Sequence, residues 1–235
     1  MDRGVSDPVR MRTHCKIVNV YIYINMCRSF FIIVCLSCAL SVMGQTKLTK
    51  EQEKDVLEKM EQSSNALRSL QCDFVQSKKM KILNKEMISK GVLYFSKPDK
   101  IRWQYTTPYD YTFLMNGDKV QIKSSKSTKN IDIQGNKIFR QVSSIILNTV
   151  TGGGLKNSAD FDVELFRQNN VVFAKMRPKK KEVMQVYSSI EVYFNASLTM
   201  VEMIKMIEKS GEYTVVKLIS PKLNSQINES VFKVN

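Results

Sequence analysis

The chain has almost no histidine. His14 is the only one in 235 residues, and it lies in an N-terminal stretch read below as a leader. Without imidazole the rest of the chain cannot assemble a Ser-His-Asp or Cys-His nucleophile, and it offers zinc no nitrogen ligand. Cysteine is equally scarce there. Cys15, Cys27, Cys35 and Cys38 fall in the same stretch, so Cys72 stands alone and no intrachain disulfide is available. Acidic residues are in deficit: 36 Lys and Arg face 22 Asp and Glu, a net charge of +14. A long apolar run is also missing, because Arg28 interrupts residues 17–43 before they reach membrane-spanning length.

What the N-terminus does contain is a secretory pattern. Arg28 precedes the uncharged run 29–43, and Val42-Met43-Gly44 places small or medium residues before Gln45. This reads as a signal peptide cleaved near Gly44/Gln45, with Met26 as an alternative start. Five basic and two acidic residues lie in 1–44, so residues 45–235 hold 31 basic and 20 acidic residues, net +11. These charges are scattered, with no basic element interleaved with aromatics, which argues against nucleic acid and leaves a solvated surface, anionic headgroups or an acidic partner.

Residues 91–118, GVLYFSKPDKIRWQYTTPYDYTFLMNGD, carry the most information. Three runs rich in Val, Ile, Tyr, Phe and Trp are cut by Lys97-Pro98-Asp99, Thr107-Pro108-Tyr109 and Asn116-Gly117-Asp118, the pattern of an antiparallel meander. Both faces are apolar: Val92 and Tyr94 lie on one, Leu93 and Phe95 on the other. A sheet with one wet face would alternate apolar and polar. Either two layers cover this one, or one face lines an apolar cavity. Ile101, Trp103 and Tyr105 point the same way at strand period, as a core stripe or a cavity wall.

The other segments read as a mainly β chain. Residues 49–70 predict a helix, with Thr49 as N-cap, Gln52 closing a capping box, and Val56, Leu57, Met60, Leu67 and Leu70 on one face. Strands are expected over 74–80, 87–95, 119–122, 161–166, 171–177, 188–194, 198–207 and 213–219, with 131–133 as a further short one. The run MVEMIKMI at 200–207 fits a helix almost as well. Residues 141–150 predict a short, strongly apolar helix, with Val142, Ile145, Ile146, Leu147 and Val150 spaced along it and Gly152-Gly153-Gly154 ending it. The glycines are not a phosphate loop, because no Lys-Ser/Thr follows at the required spacing.

The order G-x-L-x-F-x-K-P-x-x-I-R-W-x-Y-x-x-P from Gly91 to Pro108, then Gly117 and Asp118, resembles the LolA family of periplasmic lipoprotein carriers. Phe74-Val-Gln76 resembles the start of that family's first strand, and PKLNSQI its C-terminus; the resemblance spans roughly residues 50–235. It implies an incomplete antiparallel β-barrel with an N-terminal helix and short lid helices over an apolar cavity. It implies Leu70, Phe74, Leu93, Phe95, Ile101, Trp103, Tyr105, Phe113 and Met115 as cavity-lining residues, and Val142, Ile145, Ile146 and Val150 as lid. The family's lid latch, often arginine, falls on Lys97, which lacks the planar fork. The nine methionines of residues 45–235 suit a surface that repacks around variable acyl chains, or a core filler.

The implied function is non-enzymatic carriage of acylated lipoproteins by a periplasmic monomer, from the inner to the outer membrane, without cofactor or metal. Its partners would be an inner-membrane ABC-type lipoprotein-releasing transporter and an outer-membrane acceptor. The alternatives are the acceptor lipoprotein of the same fold, anchored at Cys38, a carrier of another lipid or glycolipid, or a lipid hydrolase, which the missing histidine disfavours. Asp160, Asp162 and Glu164 alternate on one strand face, as a solvated row or a metal site. Residues 177–181, RPKKK, read as a basic hairpin tip, either solvated or able to dock a membrane or transporter.

Overall fold

The computed structural model describes residues 44–80, 85–132, 147–156 and 158–234. The leader reading therefore lies outside the described residues, as do Val142, Ile145 and Ile146. Among the described residues no helix is long and apolar enough to cross a membrane.

Twelve antiparallel strands form a single sheet. In chain order they are β1 (Thr46–Lys47), β2 (Ser69–Met80), β3 (Lys85–Ser96), β4 (Lys100–Thr107), β5 (Tyr111–Asn116), β6 (Lys119–Ser124) and β7 (Thr128–Asp132). Then follow β8 (Phe161–Gln168), β9 (Val171–Pro178), β10 (Tyr187–Phe194), β11 (Val201–Glu208) and β12 (Tyr213–Leu223). Their order across the sheet is β1-β8-β9-β10-β11-β12-β2-β3-β4-β5-β6-β7. The terminal strands β1 and β7 do not pair, so this is an open half-barrel rather than a closed one. Every neighbour except β12–β2 and β1–β8 is a sequential hairpin. At β12–β2 the last strand pairs with the first long one, from Tyr213↔Lys79 to Leu223↔Leu70.

The expected helix forms at α1 (Lys50–Ala66), and its capping box is present. Gln52 N–H donates to Thr49 Oγ1 at 3.3 Å, and Thr49 N–H donates to Gln52 Oε1 at 3.1 Å. Val56 and Met60 are buried against the sheet. The helix stops sooner than its apolar spacing predicts: Leu67 is the C-cap, and Leu70 already belongs to β2. Tertiary hydrogen bonds hold 67–69 extended. Arg68 N–H donates to Asn224 Oδ1 at 2.7 Å, Lys97 N–H to Arg68 O at 2.8 Å, and Asn224 N–H to Ser69 O at 2.8 Å. The 200–207 run is strand β11, and the strand at 131–133 is β7, ending at Asp132.

Both covers expected for the meander are present. On the concave face Leu93, Phe95 and Ile101 are fully buried in the main core. On the convex face a 3-10 turn, Glu229–Phe232, lies against β4 and β5. Phe232 and Leu114 are buried there, Asn116 Nδ2 donates to Phe232 O at 3.1 Å, and Arg102 Nη1 donates to Val231 O at 3.2 Å. Arg102 is therefore a convex-face residue that fastens the C-terminus.

Gly91 opens the family-like motif for a steric reason. A Cβ there would overlap the Gln104 carbonyl oxygen and lie 2.7 Å from Phe74 Cζ. Only a bare backbone lets β4 approach β3 while the Phe74 ring slides beneath it.

Candidate functional site

The concave face encloses an apolar cavity of about 280 Å³. One wall is aromatic: Trp103 and Tyr105 on β4 face Tyr111 and Phe113 on β5. Their registers, Trp103↔Phe113 and Tyr105↔Tyr111, put all four on one face. Phe74 is the floor of this wall. Its ring centroid is 5.2 Å from Trp103 and 5.0 Å from Tyr105, the latter edge-on. The other wall is aliphatic, built from Ile190, Ile204, Met206 and Val216 on β10, β11 and β12. Gln76 joins the two walls, and Thr149 and Val150 of the short helix at 147–151 close one side.

The cavity contains little polarity, and it is concentrated on one wall. Tyr105 Oη donates to Gln76 Oε1 at 2.8 Å. Burial raises the Tyr105 hydroxyl pKa, and the neighbouring Tyr111 adds to this. The nearby Trp103 N–H, as a donor toward the hydroxyl, acts in the opposite direction, yet it makes no hydrogen bond of good geometry among the described residues. A buried, unpaired N–H costs free energy, so it is a place where a ligand acceptor would be favoured.

The sequence-derived lining residues separate into two groups. Trp103, Tyr105 and Phe113 line the cavity. Leu70, Phe74, Leu93 and Ile101 are buried behind it as core. Phe95 and Met115 are also buried, and they border a second, polar cleft of about 440 Å³ together with Lys97, Asp99, Leu147 and Asn148. Val150 is buried and lines the apolar cavity; the other three lid candidates lie outside the described residues. Sequence reasoning missed Gln76, Tyr111, Thr149, Ile190, Ile204, Met206 and Val216. The period of two in Ile204 and Met206 was the available signal.

Three of the sequence readings gain structural detail. The ammonium of Lys97 donates to Ser64 O and Asn65 O, each at 2.9 Å, so its described bonds cap the C-terminal end of α1 and reach no lid residue. Asp160, Asp162 and Glu164 are ion-paired, to Lys180 at 2.7 Å, Lys179 at 3.2 Å and Lys47 at 2.6 Å, with Arg177 also on Glu164. Hydrogen bonds from Lys47 and Arg177 lower the Glu164 pKa. No group of His, Cys, Asp or Glu among the described residues could hold a metal ion. Finally, 177–181 runs from the end of β9 into the β9–β10 connection, while the β8–β9 hairpin turns at Asn169-Asn170, as its spacing predicts.

Solved structures with similar outlines are distant. A LolA superfamily protein from Nitrosomonas europaea is 13% identical, covers 77% of this chain and 97% of its own, and superposes with a TM-score of 0.42. A putative outer membrane lipoprotein-sorting protein domain from Vibrio parahaemolyticus is 9% identical, with 77% and 96% covered and a TM-score of 0.42. MucB of Pseudomonas aeruginosa, solved in complex with MucA, is 10% identical; 77% of this chain and 60% of that one are covered, at a TM-score of 0.47. No curated protein sequence matches the chain. The family model described as outer membrane lipoprotein carrier protein LolA matches residues 65–235, from the end of α1 to the last residue, and the chain belongs to that family.

Proposed function

We propose that this protein is a periplasmic carrier that shelters the acyl chains of lipoproteins between the inner and outer membranes. The observation that carries this reading is the apolar cavity, with one aromatic and one aliphatic wall and no catalytic constellation among the described residues that line it. Burying one CH₂ contributes about 0.8 kcal/mol, so a single acyl chain carries on the order of 10 kcal/mol and cannot cross water bare. At about 280 Å³ the cavity is at the lower edge of small-molecule sites, which span roughly 300–1,000 Å³. A longer chain would require it to open.

Opening is the task we assign to the segment that includes Val142, Ile145, Ile146 and Val150. A lid that competes for the cavity lowers net affinity, because the ligand must offset the free energy of displacing it. Residues 1–44 would be removed on export. ATP would be consumed by the inner-membrane transporter that loads the carrier, and an outer-membrane acceptor would unload it.

Native mass spectrometry of the protein purified from its own periplasm tests the cargo. Acylated lipoprotein should be retained, and a non-acylated cargo variant should not. Retention of a free glycolipid instead would replace the cargo, and retention of nothing, with no binding of an apolar dye, would sink the reading. Trp103 fluorescence supplies a second readout, since a chain in the cavity must alter the surroundings of its indole.

A further inference from the structure

Nine large apolar side chains are exposed among the described residues, and they are unevenly placed. Met87, Ile88, Tyr109, Tyr111, Met184 and Val186 all lie at one end of the sheet, where β2 passes to β3, β4 to β5 and β9 to β10. The strand register makes these connections one rim. Lys78 pairs with Met87, Lys79 with Tyr213, and Tyr187 with Glu208, while Lys209 N–H donates to Val186 O at 3.0 Å. Tyr109 is 75% exposed and Val186 49% exposed. Tyr111 belongs both to this rim and to the cavity lining, so the rim is continuous with the cavity mouth.

Basic groups are interspersed with these apolar ones. Lys85, Lys90, Lys126, Lys181 and Lys209 are exposed along the rim, and none has an ion pair among the described residues. Of the rim acids, Glu86 and Glu208 are engaged locally, by Ser77 and Lys78, while Asp110 and Glu182 are exposed beside Tyr109 and Lys181. The opposite end also carries basic groups, Arg68, Lys97, Lys119 and Arg167 beside Asp99 and Asp118, but only Val171, Ile219 and Leu223 of the nine exposed large apolar side chains lie toward it.

We propose that this rim docks the protein on an anionic phospholipid surface. Tyrosine, methionine and valine side chains enter the interfacial layer, lysine ammonium groups meet headgroup phosphates, and the cavity mouth is brought against the acyl region. Interspersed apolar and basic groups suit this partner, because each basic residue near an anionic membrane contributes about 1 kcal/mol and amphipathic side chains seat at the headgroup level. The inference does not rest on the cargo reading, for it concerns the outer rim of the empty protein.

Vesicle flotation of the purified protein without cargo tests it, comparing phosphatidylcholine alone with phosphatidylcholine containing phosphatidylglycerol. The protein should float with the anionic vesicles, and binding should weaken steeply as salt rises. Lys181→Glu and Lys209→Glu should each weaken binding about fivefold or more, the equivalent of at least one basic contact. Tyr109→Asp combined with Val186→Asp should abolish flotation, whereas Ile219→Asp with Leu223→Asp, toward the opposite end, should leave it unchanged. All these sites are exposed, and thermal melts followed by circular dichroism check that the fold persists. Equal binding to neutral vesicles, no binding to either, or rim variants that float like the parent protein would overturn the proposal. So would a rim that ignores vesicles and instead captures a purified membrane protein.

Discussion

The two walls of the cavity are made differently, inside and behind. The β4–β5 wall presents aromatic rings inward and is buried on its back as well, beneath Phe232 and the Glu229–Phe232 turn. The β10–β12 wall presents Ile190, Ile204, Met206 and Val216, and its back carries a row of charge. There Glu191, 5% exposed, lies between Lys175 at 4.0 Å and Lys205 at 3.8 Å and accepts from Tyr193 Oη at 2.8 Å. Burial, and then Glu191, raise the Tyr193 pKa well above the usual phenol value. The difference teaches where rigidity comes from. The aromatic wall is backed by a second layer, so it can serve as a fixed template, while the aliphatic wall is backed only by side chains of its own sheet, the Glu191 ion pairs and the stack of Tyr193 on Phe173.

The largest effect should come from removing the backing of the aromatic wall. Phe232→Ala should destabilise the protein by about 3–5 kcal/mol in urea unfolding, because the ring is fully buried. A loss under 1 kcal/mol would mean the wall stands without its back. Next comes Cys72, which lies on β2 between the walls; burial, with Asp73 adding, pushes its thiol up to about 12 from 9.0. A raised folded pKa gives stability that is complete below pH 9 and lost as pH rises toward 12. Over that window the parent should lose up to about 1.4 kcal/mol per pH unit more than Cys72→Val, measured by denaturation at stepped pH. An identical slope in the variant would mean that the thiol is not excluded from water.

Filling the aliphatic wall should leave the fold and remove the site. Val216→Phe should weaken binding of an apolar dye about tenfold, with the melting temperature nearly unchanged, since the added ring enters empty space. Undiminished dye binding would place the ligand elsewhere. The smallest effect concerns Lys97. Lys97→Met should cost about 1 kcal/mol of stability by freeing the last carbonyls of α1, with dye affinity unchanged. A change in dye release without a change in stability would assign Lys97 the role of a latch.

The same contrast explains what was legible in the sequence. The aromatic wall is local: its residues alternate within 103–113, and each turn announces itself through Lys97-Pro98-Asp99, Thr107-Pro108 or Asn116-Gly117-Asp118. The meander and the shared face of Trp103 and Tyr105 follow from that period, while the half-barrel and the place of Phe113 came from the family resemblance. The aliphatic wall is not local. Ile204 and Met206 alternate with Lys205 inside a run that suits a helix, and only the pairings Ile204↔Val216 and Val216↔Gln76 place them across from Trp103. The partners of Phe232, Asn224 and Lys97 were invisible for the same reason. Each acts on a partner far along the chain, where no local pattern records it.

The β12–β2 seam bears on how the molecule assembles. Every other long pairing is a hairpin whose strands are neighbours in sequence, but the middle of the sheet closes only when Tyr213–Leu223 meets Ser69–Met80. Closing so large a loop costs chain entropy that neighbouring contacts cannot repay in advance. The two cavity walls are thus expected to exist as separate meanders before they share a cavity. The last strand to be made is the one that turns them into a container.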